Sequence, residues 1–138
     1  MTELVELLEY TISELGANKP KLVLQTDKVS KALNLMRENG ATSCLVVNED
    51  ASLAGIITER DIIQNITGHD ELLNDPIEKH MTKDPQTVKA NDSVIIALSL
   101  MSRGKFRNLP VIDMEGKATG VINMSDVMLF FTNHLRDD

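Results

Sequence analysis

The spacing of apolar residues along the chain predicts three amphipathic helices. Within residues 29–36 and again within residues 94–101, aliphatic side chains and methionine recur at intervals of three and four positions. This interval places side chains on one face of a helix. Residues 1–16 carry leucine and isoleucine at the same spacing and end at Gly16, a residue that often terminates helices. We therefore also expect a helix over residues 1–16.

Shorter apolar runs predict six strands. The helices predicted around residues 29–36 and 94–101 are each preceded by a short β-type stretch. Each is followed by a buried-looking strand, a polar turn and a second short strand. A closing helix is expected after each second strand. The six predicted strands are residues 21–25, 44–47, 54–57, 86–90, 109–112 and 119–122.

The chain repeats itself at an offset of 65 residues. Residues 20–63 align with residues 85–128 without a gap and are identical at 12 of 44 positions, where ordinary residue frequencies give about three. An internal duplication explains this agreement. Each copy has the order β-α-β-β-α, so the predicted fold class is α+β. About 60 residues bury too little surface to be stable alone, and we expect the two copies to pack about a pseudo-twofold axis.

This interpretation divides the chain into four parts. They are an N-terminal helix at residues 1–16, the first copy at 17–66, a linker rich in Gly, Asp, Asn and Pro at 67–84, and the second copy with a C-terminal helix at 85–138. Two packed copies would form two equivalent clefts between them, and small molecules commonly bind in such clefts.

Composition narrows the range of functions. The chain has 14 Lys plus Arg against 21 Asp plus Glu, a formal net charge of −7, which disfavours nucleic acid and anionic membranes as partners. Its N-terminus carries acids where a signal peptide carries bases, so we expect a cytoplasmic protein. Cys44 is the single cysteine, which excludes an internal disulfide and a cysteine-based metal site. The three histidines have no metal-ligand spacing, and we expect neither a bound metal nor catalysis.

Two segments in the same register carry the candidate chemistry. Residues 55–61 read GIITERD and residues 120–126 read GVINMSD, each with an aspartate three positions after a polar residue that ends a strand. The simplest interpretation is a capping box at a helix start. A second interpretation keeps that geometry and adds a ligand: the carboxylate binds a ribose diol, and free helix N–H groups receive phosphate.

The paired pattern resembles a tandem cystathionine-β-synthase (CBS) domain pair, also called a Bateman module. The similarity rests on the two Gly-containing segments, on Met81-Thr82 before Pro85, and on residues 108–113, and it extends over about residues 16–132. The resemblance implies a regulatory module that binds an adenosine-containing ligand. AMP, ADP or ATP is the expected ligand, with S-adenosylmethionine or an NAD-type molecule as the alternative.

The resemblance also implies a role for individual residues. Asp61 and Asp126 would bind ribose, and the residues assigned to phosphate are Thr58, Arg60, Asn123, Ser125, Lys105 and Arg107. The residues assigned to the adenine pocket are Val23, Leu24, Thr42, Cys44, Leu45, Ile57, Val88, Asn108, Pro110 and Ile122. Lys105 and Arg107 lie in a basic cluster that is equally explained as solvated surface. Because Asn123 replaces the usual Thr or Ser, and Leu45 stands where the second copy has Pro110, we expect unequal sites.

Two functions from different classes remain open at this point. The first is a stand-alone nucleotide sensor that acts in trans on a partner protein and forms a homodimer through the apolar faces of residues 94–101 and 127–131. The second is a ligand-free interaction module whose clefts are degenerate. Binding of adenine nucleotide separates the two.

Overall fold

The computed structural model describes residue 6 and residues 9–135 and shows an α+β protein. Two compact units make up the chain. One contains residues 20–85 and 115–118, and we call it the first-copy unit. The other contains the described residues up to 19 together with residues 86–114 and 119–135, and we call it the second-copy unit. The elements in chain order are α1 (Ile12–Leu15), β1 (Leu22–Leu24), α2 (Val29–Asn39), β2 (Ser43–Val47), β3 (Leu53–Thr58), α3 (Glu59–Asn65), β4 (Thr82–Lys83), α4 (Val94–Gly104), β5 (Asn108–Ile112), β6 (Ala118–Asn123) and α5 (Met124–Leu135).

The first-copy unit is built on a four-stranded sheet in the order β1-β2-β3-β4. β1 is parallel to β2, and β3 is antiparallel to both of its neighbours. α2 and α3 pack with this sheet, since their apolar positions share one cluster with alternate residues of β2. The fully enclosed members include Val29, Ala32, Cys44 and Ile57, each 0% exposed. Apolar burial of this kind is the main stabilising contribution to such a unit.

The second-copy unit repeats the plan with a smaller sheet. β5 and β6 pair, and the predicted strand at residues 86–90 is reduced to a single parallel bridge between Val88 and Val111. That bridge has the register of Val23 and Val46 in the first-copy unit. The core is formed by residues of α1, α4, β5, β6 and α5, including Ile12, Val94, Leu109, Ile122 and Val127.

Each unit is completed by a segment that precedes the other copy in the sequence. Residues 11–18 lie in the second-copy unit, where Val94 N donates to Tyr10 O at 2.9 Å and Ile12 N donates to Asp92 O at 2.9 Å. Residues 76–83 lie in the first-copy unit, where Val29 N donates to Asp75 O at 3.0 Å and Ile77 N to Asp27 O at 2.8 Å. The two sets of bonds are related by the same 65-residue offset, so the structural repeat extends to residues that precede residue 20.

The structure differs from the predicted elements in two further places. A continuous helix over residues 1–16 is wrong, because Glu9 and Tyr10 are not helical and Thr11 caps α1 with its hydroxyl accepting from Glu14 N. Residues 1–5 and 7–8 lie outside the described residues. The segment predicted as a linker, 67–84, contains two short 3-10 helices and β4, and its Ile77 is fully enclosed in the core.

Candidate ligand-binding site

The motif of the first-copy unit forms a complete capping box at the start of α3. Thr58 ends β3, and its Oγ1 accepts from Asp61 N at 3.2 Å. In return, Asp61 Oδ2 accepts from Thr58 N at 2.9 Å and from Thr58 Oγ1 at 3.0 Å. The carboxylate is half-buried, so it is held at the strand-to-helix turn with part of its surface open. The capping interpretation of the sequence is therefore confirmed for this motif.

The motif of the second-copy unit has two hydrogen bonds equivalent to those of the first motif, and its carboxylate has a different further donor. Asn123 Oδ1 accepts from Asp126 N at 2.9 Å, and Asp126 Oδ2 accepts from Asn123 N at 3.1 Å. An asparagine offers no hydroxyl, so the third bond of the first motif has no equivalent within this pair. The additional donor is Asn18, whose Nδ2 lies 2.7 Å from Asp126 Oδ2. Sequence reasoning missed Asn18, and no spacing in the sequence links residue 18 to residue 126.

Both motif glycines allow a crossing chain segment to lie against the strand that leads to the site. A Cβ on Gly55 would stand 2.6 Å from Thr82 O, and a Cβ on Gly120 would stand 2.8 Å from the Cβ of Ala17. Thr82 and Ala17 belong to the two segments that complete the units. Close backbone approach therefore explains glycine at the first position of each motif.

The residue before the second strand of each copy lies beside the helix that carries the aspartate. Thr42 O accepts from Glu59 N at 2.9 Å, and Arg107 O accepts from Met124 N at 2.9 Å. The backbone of Thr42 thus meets the start of α3, and the backbone of Arg107 meets the start of α5. The backbone of Arg107, the last residue of the basic cluster, therefore lies at the motif that contains Asp126.

Lys105 occupies a backbone conformation that normally favours glycine. It follows α4 with φ 58° and ψ 28°, in the left-handed region, at the position where α2 is followed by Gly40 with φ 61°. Left-handed backbone costs a residue with a Cβ about 1 kcal/mol. The lysine is exposed, as are Arg60 and Ser125, which occupy the first turns of α3 and α5.

Many side chains predicted to line an adenine pocket are part of the interior. Val23, Cys44 and Ile57 belong to the core cluster of the first-copy unit, and Val88 and Ile122 belong to that of the second. Leu45 and Pro110 are also buried, while Leu24 and Thr42 are exposed and Asn108 is half-buried. A ligand beside these strands would meet the exposed residues and the backbone rather than the core side chains.

The thiol of Cys44 is buried in the core of the first-copy unit. Burial raises the pKa of the Cys44 thiol to about 11, and its Sγ lies 3.6 Å from Ala32 O, so this cysteine is an inert core residue. Within residue 6 and residues 9–135, three or more His, Cys, Asp or Glu side chains nowhere converge in a way that could hold a metal ion. None of the helices in this described part is long and apolar enough to cross a bilayer.

Comparison with known proteins identifies the repeated unit. A family model described as CBS domain matches the chain twice, at residues 12–68 and 77–133. The two matches begin at Ile12 and Ile77, which are buried and are equivalent at the 65-residue offset. An uncharacterized 17.7 kDa protein of Acidianus ambivalens is 33% identical over 116 residues, covering 84% of this chain and 70% of that protein.

Longer relatives contain the matched region as one part. A homoserine O-acetyltransferase of Methanocorpusculum labreanum is 28% identical over 89% of this chain, which spans 24% of that protein. Among solved structures, the CBS-pair protein CBSX2 of Arabidopsis thaliana in complex with AMP has a TM-score of 0.79 at 24% identity, covering 92% of this chain and 99% of that chain. The CBS domain pair of protein MJ0100 with 5′-methylthioadenosine and S-adenosylmethionine has a TM-score of 0.82 at 20% identity, covering 91% and 98%. These likenesses establish the tandem fold.

Proposed function

Since this chain belongs to the CBS domain family and carries the domain as a tandem pair, we propose that it is a regulatory module that binds an adenosine-containing ligand. AMP, ADP and ATP are the first candidates, and S-adenosylmethionine or an NAD-type molecule is the alternative. Solved CBS pairs of the same fold hold AMP in one case and 5′-methylthioadenosine with S-adenosylmethionine in another. The observation that carries the proposal is the pair of half-buried aspartates, 65 residues apart, each held at a strand-to-helix turn.

Asp61 and Asp126 are the proposed ribose ligands. A carboxylate accepts hydrogen bonds through both oxygens, and the hydrogen bonds described above engage Oδ2 of each aspartate. Bonds to a charged acceptor contribute about 1.5–3 kcal/mol each. Loss of either carboxylate should therefore weaken binding at its own site about tenfold or more.

The proposed phosphate contacts lie at the first turns of α3 and α5. Thr58 and Arg60 serve the first site, and Asn123 and Ser125 serve the second, where the N–H groups of a helix start also favour an anion. Lys105 and Arg107 add two positive charges on the second-copy unit, and the matching positions of the first copy are Gly40 and Thr42. A ligand with two or three phosphates should therefore prefer the site of Asp126 more than AMP does.

Calorimetric titration tests the binding proposal. The intact protein is titrated with AMP, ADP, ATP, S-adenosylmethionine and NAD, and the titrations are repeated on Asp61→Ala and Asp126→Ala. We expect one variant to lose the tighter event and the other to lose the weaker one. Each aspartate also caps a helix, so the matched control is Glu14→Ala, which removes the carboxylate of the capping box at Thr11 and should leave both affinities unchanged.

A ligand-free interaction module is the second candidate. Two observations favour it: Asn18 already occupies Asp126, and core packing encloses five of the side chains assigned to adenine. Thermal unfolding separates the candidates, because a ligand at 100 times its dissociation constant stabilises the folded state by about 2.7 kcal/mol. An unchanged midpoint with every compound at about a millimolar would replace the sensor with the interaction module.

Regulation is proposed to act in trans on a partner protein, with the module as a homodimer and without catalytic activity of its own. The support for association is an apolar surface on the second-copy unit, where Ile96 of α4 and Met128 and Leu129 of α5 are 44%, 53% and 62% exposed. Exposed apolar side chains that form a contiguous patch commonly mark an interface. Light scattering should give twice the monomer mass at about 50 μM, and Leu129→Glu should shift it to the monomer.

A further inference from the structure

The side chain of Asn18 is hydrogen-bonded to Asp126, the residue proposed to bind ribose at the second site. Its Nδ2 donates to Asp126 Oδ2 at 2.7 Å, and the same oxygen accepts from Asn123 N at 3.1 Å. Two bonds saturate the acceptor capacity of one carboxylate oxygen. A ribose diol that binds with one hydroxyl on each oxygen therefore has to displace a donor from Oδ2.

The first motif meets the same requirement at lower cost. Asp61 Oδ2 also carries two donors, but one of them is the Thr58 hydroxyl at 3.0 Å. A hydroxyl hydrogen rotates about its C–O bond without movement of any heavy atom, so this bond can be given up to a ligand in place. An asparagine amide has no such freedom, and its side chain has to turn away from Asp126.

The backbone around Asn18 allows the side chain to move alone. Asn18 N donates to Val121 O at 2.9 Å, and Val121 N donates to Asn18 O at 3.0 Å. These two bonds hold the segment on β6 whatever the side chain does, and the side chain itself is exposed. A substitution at this position should therefore remove the amide without loosening the fold.

We infer that Asn18 lowers the ligand affinity of the second site by competing with the ligand for hydrogen bonds to Asp126. This inference rests on the proposed binding function and adds its consequence for AMP: the first site fills before the second. Asn18 would be displaced from Asp126 only when the ligand concentration is high enough to fill the second site.

The test isolates the second site by using Asp61→Ala as the background. AMP is titrated calorimetrically into this variant and into the double variant with Asn18→Ala. Loss of one competing hydrogen bond of ordinary net strength should tighten AMP binding about three- to tenfold. The matched control is Asn133→Ala in the same background; this exposed asparagine lies near the other end of α5 and should leave the affinity unchanged.

A second readout follows the amide itself. The NMR resonances of the Asn18 side-chain amide in isotope-labelled Asp61→Ala protein should shift as AMP is added. The AMP concentration at half-maximal shift should agree with the dissociation constant from the calorimetric titration. Unchanged resonances during binding would overturn the inference.

The remaining outcomes assign failure separately to the inference and to the function. If the intact protein binds AMP while Asn18→Ala fails to tighten binding in the Asp61→Ala background, or both of those variants bind none, competition by Asn18 is refuted and the binding function stands. If the intact protein and all variants bind no adenosine compound, the proposed function is refuted and the inference with it.

Discussion

The close approach at Gly120 allows a prediction whose magnitude follows from the geometry. A methyl group at this position would lie 2.8 Å from the Cβ of Ala17, about 0.7 Å inside the optimal carbon separation of about 3.5 Å. Forcing an additional methyl into a packed position typically costs about 1–3 kcal/mol. Alanine also restricts the unfolded chain, which offsets about 0.5–1 kcal/mol of that cost. We expect Gly120→Ala to lower the free energy of unfolding by about 1.5 kcal/mol.

The contacting atom identifies the compensating change. Since the obstruction is the methyl of Ala17, Ala17→Gly should remove it, whereas Ala17→Gly alone should cost about 0.5–1 kcal/mol through greater freedom of the unfolded chain. The double variant should then be more stable than the sum of the single effects by about 1–2 kcal/mol. Coupling of this size is typical of residues in direct contact.

Gly55 provides the matched comparison. Its added methyl would meet Thr82 O at 2.6 Å and the Sδ of Met81 at 2.8 Å. Thr82 is paired with Ile56 in the ladder of β3 and β4, so the oxygen cannot withdraw without breaking that ladder. Gly55→Ala should therefore cost about 3 kcal/mol, and no substitution at residue 82 should rescue it, because the obstructing oxygen of Thr82 belongs to the backbone.

The assay is urea unfolding followed by far-ultraviolet circular dichroism, because the chain has no tryptophan and a single tyrosine. Additive effects of Gly120→Ala and Ala17→Gly would refute the argument that these residues touch. The displaced segment also carries Asn18, so Gly120→Ala should weaken the bond between Asn18 and Asp126 as well.

Three further predictions follow from individual side chains. Lys105→Gly should raise the free energy of unfolding by about 0.5–1 kcal/mol in urea titrations, because it relieves the left-handed backbone at φ 58°; a loss of stability would contradict this. Cys44, with its pKa raised to about 11 by burial, should resist iodoacetamide at pH 8 in the folded protein and react in urea, and equal rates would show that the thiol is accessible. The backbone N–H of Leu24 donates to Asp27 Oδ2 at 2.8 Å and, with Lys31 assisting, holds the pKa of Asp27 below its ordinary value of 3.8. Because the pKa is lower in the folded than in the unfolded state, the ionised carboxylate stabilises the fold fully above about pH 5. This stabilisation is lost as the pH falls through the folded-state pKa. Asp27→Asn should accordingly destabilise the protein at pH 7, and the two unfolding midpoints should converge in acid, whereas a constant difference down to pH 2 would exclude the charge as the cause.

The helices and central strands could be predicted because their signal is local. α2 and α4 were predicted from apolar spacing at residues 29–36 and 94–101, and the structure ends them at Asn39 and Gly104. β2 and β5 were predicted from continuous apolar runs, and both are buried along nearly their whole length. For these two helices and two strands, the residues whose pattern predicts the element belong to that element.

The segments that complete the units could not be predicted in the same way. Residues 11–18 and 76–83 bind to parts of the chain that lie far away in sequence, through backbone bonds such as Ile12 N to Asp92 O. Bonds of this kind depend on backbone groups that every residue has, so they leave little trace in composition or periodicity. The matching pair Ile12 and Ile77 is the one sequence signal of their equivalence, and it lies outside the gapless alignment of residues 20–63 with 85–128.

The candidate site was likewise predictable only where its interacting residues are close in sequence. The capping geometry of Asp61 and Asp126 follows from residues three positions apart and was predicted correctly. The bond of Asn18 to Asp126 joins residues 108 positions apart and was not. Whether the predicted ribose, phosphate and adenine contacts are made stays a prediction until a ligand is titrated.

One of the segments that complete the units, residues 11–18, takes part in the difference between the two motifs. In the first motif, Thr58 supplies every hydrogen bond described for the Asp61 carboxylate, so the state of that carboxylate depends on its own turn alone. In the second motif, Asn123 lacks a hydroxyl, and the missing donor comes from a segment that the sequence assigns to the start of the other copy. The Asp126 carboxylate is therefore bonded to residue 18 of a distant segment, whereas the Asp61 carboxylate is bonded within its own turn. Asn123→Thr alone would offer a third donor to Asp126 Oδ2, and this hydroxyl would turn away because it rotates without movement of a heavy atom. In Asn18→Ala/Asn123→Thr the carboxylate of Asp126 would have the same donors as Asp61, so we expect calorimetric titration of this double variant in the Asp61→Ala background to give the second site the AMP affinity of the first.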